Sequence, residues 1–247
     1  MILGGQLERV SSSAEGPRFT IKGAVALEMR LPSKARATKD LDLIVDDLVD
    51  GDPVGALREA LSRGYQGFAF RVKGDPHVMP NESVRVDVAL EYRGRGWGTI
   101  QVDLSPQEGD STEVEMVEPL SLEPFGLDTP DGLPCLSLRY HIAQKIHAMT
   151  EPPVDEETPN ERFRDLVDLL LMKELTTDLG GVRAACRVVF SVRARHEWPP
   201  VFAPPTFWEE PFAALAEEVE LPVGSLAEAV QEAKAFIRAI EAADGAQ

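Results

Sequence analysis

Asp40 and Asp42 stand one residue apart in Thr38-Lys-Asp40-Leu-Asp42-Leu-Ile-Val45, at the head of an apolar, β-branched run that reads as a strand. Strand side chains alternate, so both carboxylates leave the same face. Carboxylates held side by side repel each other, and a divalent cation between them offsets that repulsion. Mg²⁺ suits the role, because it takes oxygen ligands and joins one or two carboxylates to substrate phosphates. An acidic turn leading into a strand would use the same residue types. The neighbouring elements decide between the two.

Arg18-Phe-Thr-Ile-Lys-Gly23 reads as a short strand ending at a glycine, and Ala24-Val-Ala-Leu-Glu-Met-Arg30 as a short helix. Strand, glycine, helix start, loop and a strand bearing Asp-x-Asp make an arrangement for holding a polyphosphate. N–H groups at the helix start face phosphate oxygens while the carboxylates supply the metal. Further on, Leu138, Ile142, Ile146 and Met149 recur at helical spacing, with Lys145 at the edge of that stripe, where it could reach into a cleft. In Asn160-Glu-Arg-Phe-Arg-Asp165-Leu-Val-Asp168-Leu-Leu-Leu-Met172, Asp165 and Asp168 lie three apart and share a helix face.

These two stretches together resemble the AbiEii/AbiGii family of nucleotidyltransferase toxins, in the polymerase-β-like nucleotidyltransferase superfamily. The family's Lys-Gly-Gly-Thr/Ser-x-Leu stretch matches Lys22-Gly23-Ala24-Val25-Ala26-Leu27, and its Arg-x-Thr/Ser-x-Asp-Leu-Asp stretch matches Arg36-Ala-Thr38-Lys-Asp40-Leu-Asp42. Its second-lobe helices, Glu-Lys-Leu-His-Ala-Leu and Arg/Lys-Asp-Leu-x-Asp-Leu, match Gln144 to Met149 and Arg164 to Leu169. Ala24, Val25 and Gln144 depart from the pattern. Ala24 is less tolerant of positive φ than glycine, and Val25 offers no hydroxyl to a phosphate.

The resemblance implies an α+β fold, with a polymerase-β-like nucleotidyltransferase lobe on a mixed sheet over residues 1–115 and a mainly α-helical lobe over 116–247. It implies Mg²⁺, two ions, held by Asp40, Asp42 and a third carboxylate on an adjacent strand. Asp103 is favoured, with Asp87 as the alternative; the two read as partners across a hairpin. Lys22, Gly23, Ala24 and Thr38 would hold the nucleotide. Lys145 would act on the leaving pyrophosphate, and Asp165 or Asp168 would orient Lys145 or contact the nucleotide. The expected partners are an NTP, an RNA acceptor such as the tRNA 3′ end, and a cognate antitoxin. Transfer to a protein or small molecule, and a catalytically inactive regulatory member, are the alternatives.

The 247 residues suffice for a sizeable core, and 43% apolar with 27% charged residues is ordinary for a globular enzyme. With no long apolar run and no signal-like start, the expected location is cytoplasmic. Cys135 and Cys186 form no metal-binding pattern, and His77, His141, His147 and His196 are scattered. The net charge of −17 opposes nonspecific nucleic-acid binding. Within it, residues 182–196 carry Arg183, Arg187, Arg193 and Arg195 with no acid, a basic strip that is either an RNA contact or a solvated face balancing nearby acid.

Along the chain, residues 1–17 read as loosely ordered and Pro53 to Arg63 as a helix ended by Gly64. Phe68 to Lys73, Val84 to Tyr92 and Thr99 to Leu104 read as strands, the last two joined by a turn at Gly94-Arg-Gly-Trp-Gly98. Gln107 to Pro134 reads as a connector, Asp155-Glu-Glu as an acidic loop, and Ser225-Leu-Ala-Glu228 as a capping box opening a final helix.

Overall fold

Strand-forming alternation runs through most of the first half of the chain, and it builds one mixed sheet. The computed structural model describes residues 1–13, 16–32, 34–36, 38–46, 51–79, 81–108, 113–153 and 158–243; the Asp155-Glu-Glu loop lies outside them. The chain divides into two compact units. The first takes Met1–Pro32, Ala37–Gln107 and Val114–Leu136, and the second takes Ser33–Arg36, Glu108–Glu113 and Ser137–Gln247.

In the first unit, β1 (Ser12–Ser13) and β2 (Gly16–Pro17) pair with each other. The main sheet comprises β3 (Phe19–Lys22), β4 (Asp40–Val45), β5 (Phe68–Val78), β6 (Val84–Tyr92), β7 (Arg95–Pro106), β8 (Val114–Val117) and β9 (Leu133–Leu136). Their order is β5-β6-β7-β4-β3-β9-β8. The pairs β4–β7 and β3–β9 are parallel and the rest antiparallel. One face of the sheet is apolar: Leu41, Leu43, Val45, Val86, Val88, Val102 and Leu104 are all buried there. Each such side chain contributes about 1.5–3 kcal/mol on burial. Strand alternation sends the intervening residues to the opposite face, where the polar side chains gather.

Among the described residues, the α-helices of this unit are α1 (Ile2–Ser11), α2 (Gly23–Arg30) and α3 (Pro53–Leu61). α1 corrects the expectation of a loosely ordered start. Leu3 and Leu7, one turn apart, enter the core, and the buried Gln6 amide donates to the Ala60 carbonyl at 2.6 Å. The Gly4-Gly5 pair resembles a linker in sequence, but it packs tightly: side chains there would press on Leu133 and Ile21, and on Pro130 and Tyr65. The connector read over 107–134 likewise contributes strands, since β8 and β9 complete the sheet.

The β6–β7 turn is also tighter than the run of glycines suggests. Arg93 (φ 49°) and Gly94 (φ 76°) form a two-residue turn closed by Tyr92 opposite Arg95. Gly96 and Gly98 are therefore strand residues. Trp97 is the extra residue of a bulge, because Glu91 pairs with Gly96 and Leu90 with Gly98.

The second unit holds α4 (Leu138–Thr150), α5 (Phe163–Lys173), α6 (Leu179–Arg193), α7 (Glu209–Glu218) and α8 (Leu226–Ala242). α5 is buried continuously from Asp165 to Met172, so it is a central helix that carries two carboxylates inward. Ser225 caps α8 by accepting from the Glu228 N–H at 3.2 Å, as its capping box predicts. The architecture is α+β, as the resemblance implied. No helix among the described residues is long and apolar enough to cross a membrane.

Candidate active site

The cross-strand register gathers the polar face of the first unit into one row. Lys22 on β3 pairs with Asp42 on β4, Asp42 with Asp103 on β7, and Asp103 with Arg85 on β6. Asp40 occupies the neighbouring row, opposite Gln101. Two carboxylates on adjacent strands and a third one pleat away therefore share a face with a cation at each end of the row.

Each member of the row is held. Arg85 grips Asp103 with both arms, Nε donating to Oδ1 at 2.8 Å and the terminal nitrogen to Oδ2 at 2.7 Å. This hydrogen bonding raises the Arg85 pKa despite some desolvation, and the charges of Asp103, Asp40 and Asp42 add to it. The field of the carboxylates thus acts as one unit. Lys22 Nζ donates to Ser105 Oγ at 3.1 Å. Thr38 Oγ1 accepts from the Asp40 N–H at 3.2 Å, which fixes the entry to the strand.

Gly23 opens α2 at φ +66°, where its missing Cβ leaves room for the Asp42 carboxylate; any side chain there would collide with it. Lys22 provides no side-chain cap to the helix. Ala24 is buried, and Val25, at the position of the family's hydroxyl, packs against the core. Asp87 stands on the same face but one strand further out and one pleat away, exposed and opposite Gln101 and Lys73. It is not the hairpin partner of Asp103; Arg85 is.

Among the described residues no three His, Cys, Asp or Glu side chains are gathered closely enough to enclose a metal ion. The chemistry of the row nevertheless suits a hard cation. All its anionic donors are carboxylate oxygens, and a carboxylate has about four acceptor positions, so Asp103 retains capacity beyond the two bonds from Arg85.

In the second unit, Lys145 on α4 donates to Asp165 Oδ1 at 2.6 Å and to Asp168 Oδ2 at 2.8 Å on α5. Both carboxylates are buried, Asp168 completely. Desolvation alone would lower the Lys145 pKa; the charges and hydrogen bonds of the two aspartates outweigh it, and the ammonium is held above its ordinary range. Arg36 Nε lies 3.4 Å from the other Asp168 oxygen, and an Arg162 terminal nitrogen lies 3.7 Å from Asp165. Two buried anions are thus matched by Lys145 and Arg36, with Arg162 at the rim.

The four arginines of the basic strip share three carboxylates of the same unit. Arg183 pairs with Glu241 at 3.1 Å, Arg187 approaches the same carboxylate at 3.7 Å, Arg193 forks onto Glu108, and Arg195 pairs with Glu151 at 2.7 Å. Of the two ways to read that strip, the structure favours the charge-balanced face. Close by, His147 packs against Phe190 and His196. Desolvation, with the charges of Arg193 and His196, lowers its pKa to about 4. The thiols of Cys135 and Cys186 are buried and unpaired in any disulfide.

Two contributors lay outside the sequence reading. Arg85 was recoverable only with the bulge at Trp97: without it Asp103 would face Val84, and every side chain would change faces. Arg36 belongs to the motif, but its pairing with Asp168 depends on tertiary structure.

A family model described as "Nucleotidyl transferase AbiEii toxin, Type IV TA system" matches residues 6–243. The chain belongs to the AbiEii nucleotidyltransferase toxin family. An AbiEii protein of this type is the toxin of a type IV toxin–antitoxin pair, so an NTP substrate and an antitoxin partner are implied. The fold is similar to that of MenT4, a nucleotidyltransferase toxin from Mycobacterium tuberculosis H37Rv, with TM-score 0.63 and 18% identity over 98% of this chain and 82% of that one. A far weaker likeness, TM-score 0.36 at 20% identity over 71% of this chain and 83% of the other, is to the antibiotic-resistance factor ANT(2″)-Ia. A search of curated proteins with the sequence gives no match.

Proposed function

We propose that this AbiEii toxin transfers a nucleoside monophosphate from an NTP to an RNA acceptor, with the tRNA 3′ end as the foremost candidate. The reading is carried by the in-register row of Lys22, Asp42 and Asp103 with Asp40 one pleat away. In the reaction an acceptor hydroxyl oxygen bonds to the α-phosphorus, the bond to the β-phosphate oxygen breaks, and pyrophosphate leaves. Asp40, Asp42 and Asp103 would hold the divalent cations, two Mg²⁺ in this reading. When bound, the ions neutralise phosphate oxygens and increase the electrophilicity of the α-phosphorus.

The chain's own groups do the rest. Asp103, oriented by Arg85, would receive the proton of the attacking hydroxyl. Lys22 supplies an ammonium to a phosphate oxygen, and the backbone at Gly23 and Ala24 supplies N–H donors. Thr38, whose Oγ1 accepts from the Asp40 N–H, fixes the backbone at the start of that strand. In this reading Lys145 would be the cation that acts on developing pyrophosphate charge; within the second unit Asp165 and Asp168 position its ammonium.

A protein or small-molecule acceptor is the second reading. It is favoured by the net charge of −17 and by the ion pairing of all four arginines in the 183–195 strip. The two readings are separated by incubating the protein with each labelled NTP, Mg²⁺, total tRNA and cell protein. Label in the tRNA fraction is expected; label confined to protein or small molecules would move the assignment to the second reading.

A further inference from the structure

We propose that Arg85 makes divalent-ion binding at Asp103 conditional on a bound nucleotide. In the nucleotide-free protein Arg85 occupies both oxygens of that carboxylate, and it yields one when a triphosphate accompanies the ion. Arg85 is thus a positioning residue that acts through Asp103. The inference rests on the nucleotidyl-transfer reading above. It starts from an asymmetry among the carboxylates of the first unit. Asp40 is exposed, and its side chain makes no hydrogen bond or ion pair among the described residues. Asp103 is committed: Arg85 Nε and a terminal nitrogen reach its two oxygens at 2.8 and 2.7 Å.

The register shows the direction of that commitment. Asp42 stands opposite Asp103 on β4, and Arg85 stands opposite it on β6. Both oxygens of Asp103 are therefore engaged on the side away from Asp42. Among the described residues no three acidic or metal-ligating side chains are gathered closely enough to enclose an ion. This is the arrangement expected where an internal cation offsets the repulsion between neighbouring carboxylates. An arginine suits the task, because its charge persists at any working pH and its planar fork matches a carboxylate. The side chains of Arg85 and Asp103 are 36% and 16% exposed, so water can replace the bond that Arg85 gives up.

The same guanidinium opposes a bare divalent ion. A unit charge about 6 Å from such an ion weakens its binding about tenfold even at the dielectric of water. A triphosphate brings negative charge of its own, which offsets that repulsion. A carboxylate has about four acceptor positions, so one Asp103 oxygen can turn to the ion while Arg85 keeps the other. Asp40, with no cation bonded to it, takes the first ion together with Asp42. Asp103 joins only when the nucleotide is present.

The test is a Mn²⁺ titration of the full chain, read by the electron paramagnetic resonance signal of free Mn²⁺, with and without α,β-methylene analogues of the NTPs. The wild-type protein should bind one ion alone and a second with the analogue it accepts. Arg85→Gln should raise the nucleotide-free affinity about tenfold, whereas Arg85→Lys, which keeps the charge, should stay within about threefold of wild type. The double variant Arg85→Gln, Asp103→Asn leaves no unpaired charge, so it remains usable if the single variant fails to fold. It should match the wild-type affinity without nucleotide and bind one ion fewer with the analogue. Arg85→Gln binding Mn²⁺ no more tightly than wild type would overturn the proposal and leave Arg85 as a brace of the hairpin. A double variant about tenfold weaker than wild type without nucleotide would also overturn it, because Asp103 would then be a ligand already. If the wild-type protein binds no Mn²⁺ with any analogue, the metal-assisted reading itself fails and this inference falls with it.

Discussion

Lys145→Met removes the cation that two buried carboxylates share, and the structure gives the size of the effect. Lys145 makes two short charged hydrogen bonds, to Asp165 at 2.6 Å and Asp168 at 2.8 Å. Both aspartates lie inside α5, 5% and 0% exposed. Breaking a buried ion pair by removing one partner typically costs about 3–5 kcal/mol, because the other charge is left uncompensated. Arg36 at 3.4 Å and Arg162 at 3.7 Å remain to offset part of that, which places the expected loss near about 3 kcal/mol. Urea unfolding followed by far-UV circular dichroism measures it. The double variant Lys145→Met, Asp165→Asn should recover part of the loss, since it removes one anion with the cation and leaves Asp168 with Arg36 as its counter-charge. A single variant within about 1 kcal/mol of wild type, or a double variant no more stable than the single one, would refute the buried-network argument. Activity comparisons for Lys145 are informative only under conditions where the variant remains folded.

Three further outcomes follow from the same geometry. Asp40→Asn or Asp42→Asn should abolish transfer while leaving the protein folded, because each removes a candidate metal ligand and relieves carboxylate repulsion; retained activity with unchanged Mg²⁺ dependence would contradict this. Gly23→Ala should destabilise the first unit by about 1–2 kcal/mol for the left-handed backbone alone and cut transfer further by displacing Asp42, as read by melting and initial rates. His147 is held at about 4 by desolvation against an ordinary 6.5, so the unfolded chain binds more protons between those values and stability falls as the pH drops. Between pH 7 and pH 5 the loss from this residue should be about 2 kcal/mol, and the pH slope should be shallower in His147→Phe.

The elements around Asp40 and Asp42 were legible because alternation and a β-branched run describe a strand without outside help. The glycine at 23 was legible as a strand end, but its reason was not: the space it leaves is filled by the Asp42 carboxylate. α1 was hidden by Gly4 and Gly5, which signal a flexible segment locally and serve close packing in the fold. β8 and β9 were hidden for a related reason, since short strands containing Pro134 and acidic residues gain their stability from neighbours in the sheet. The partners of charged residues were the least legible. Arg85 on Asp103 depends on one bulged residue, and the pairing of Arg183 with Glu241 joins residues 58 positions apart. Lys145 read as the rim of an apolar stripe because a sequence places a side chain on a helix face without showing what closes over it.

The most direct test of the account compares α-labelled with γ-labelled NTP in the presence of Mg²⁺ and total tRNA, for the wild-type protein and for Asp42→Asn. The account predicts that the α-label alone becomes attached to RNA, that pyrophosphate appears in equal amount, and that both signals vanish in the variant. Attachment of the γ-label, or undiminished α-label transfer in Asp42→Asn, would contradict nucleotidyl transfer at the Lys22–Asp42–Asp103 row.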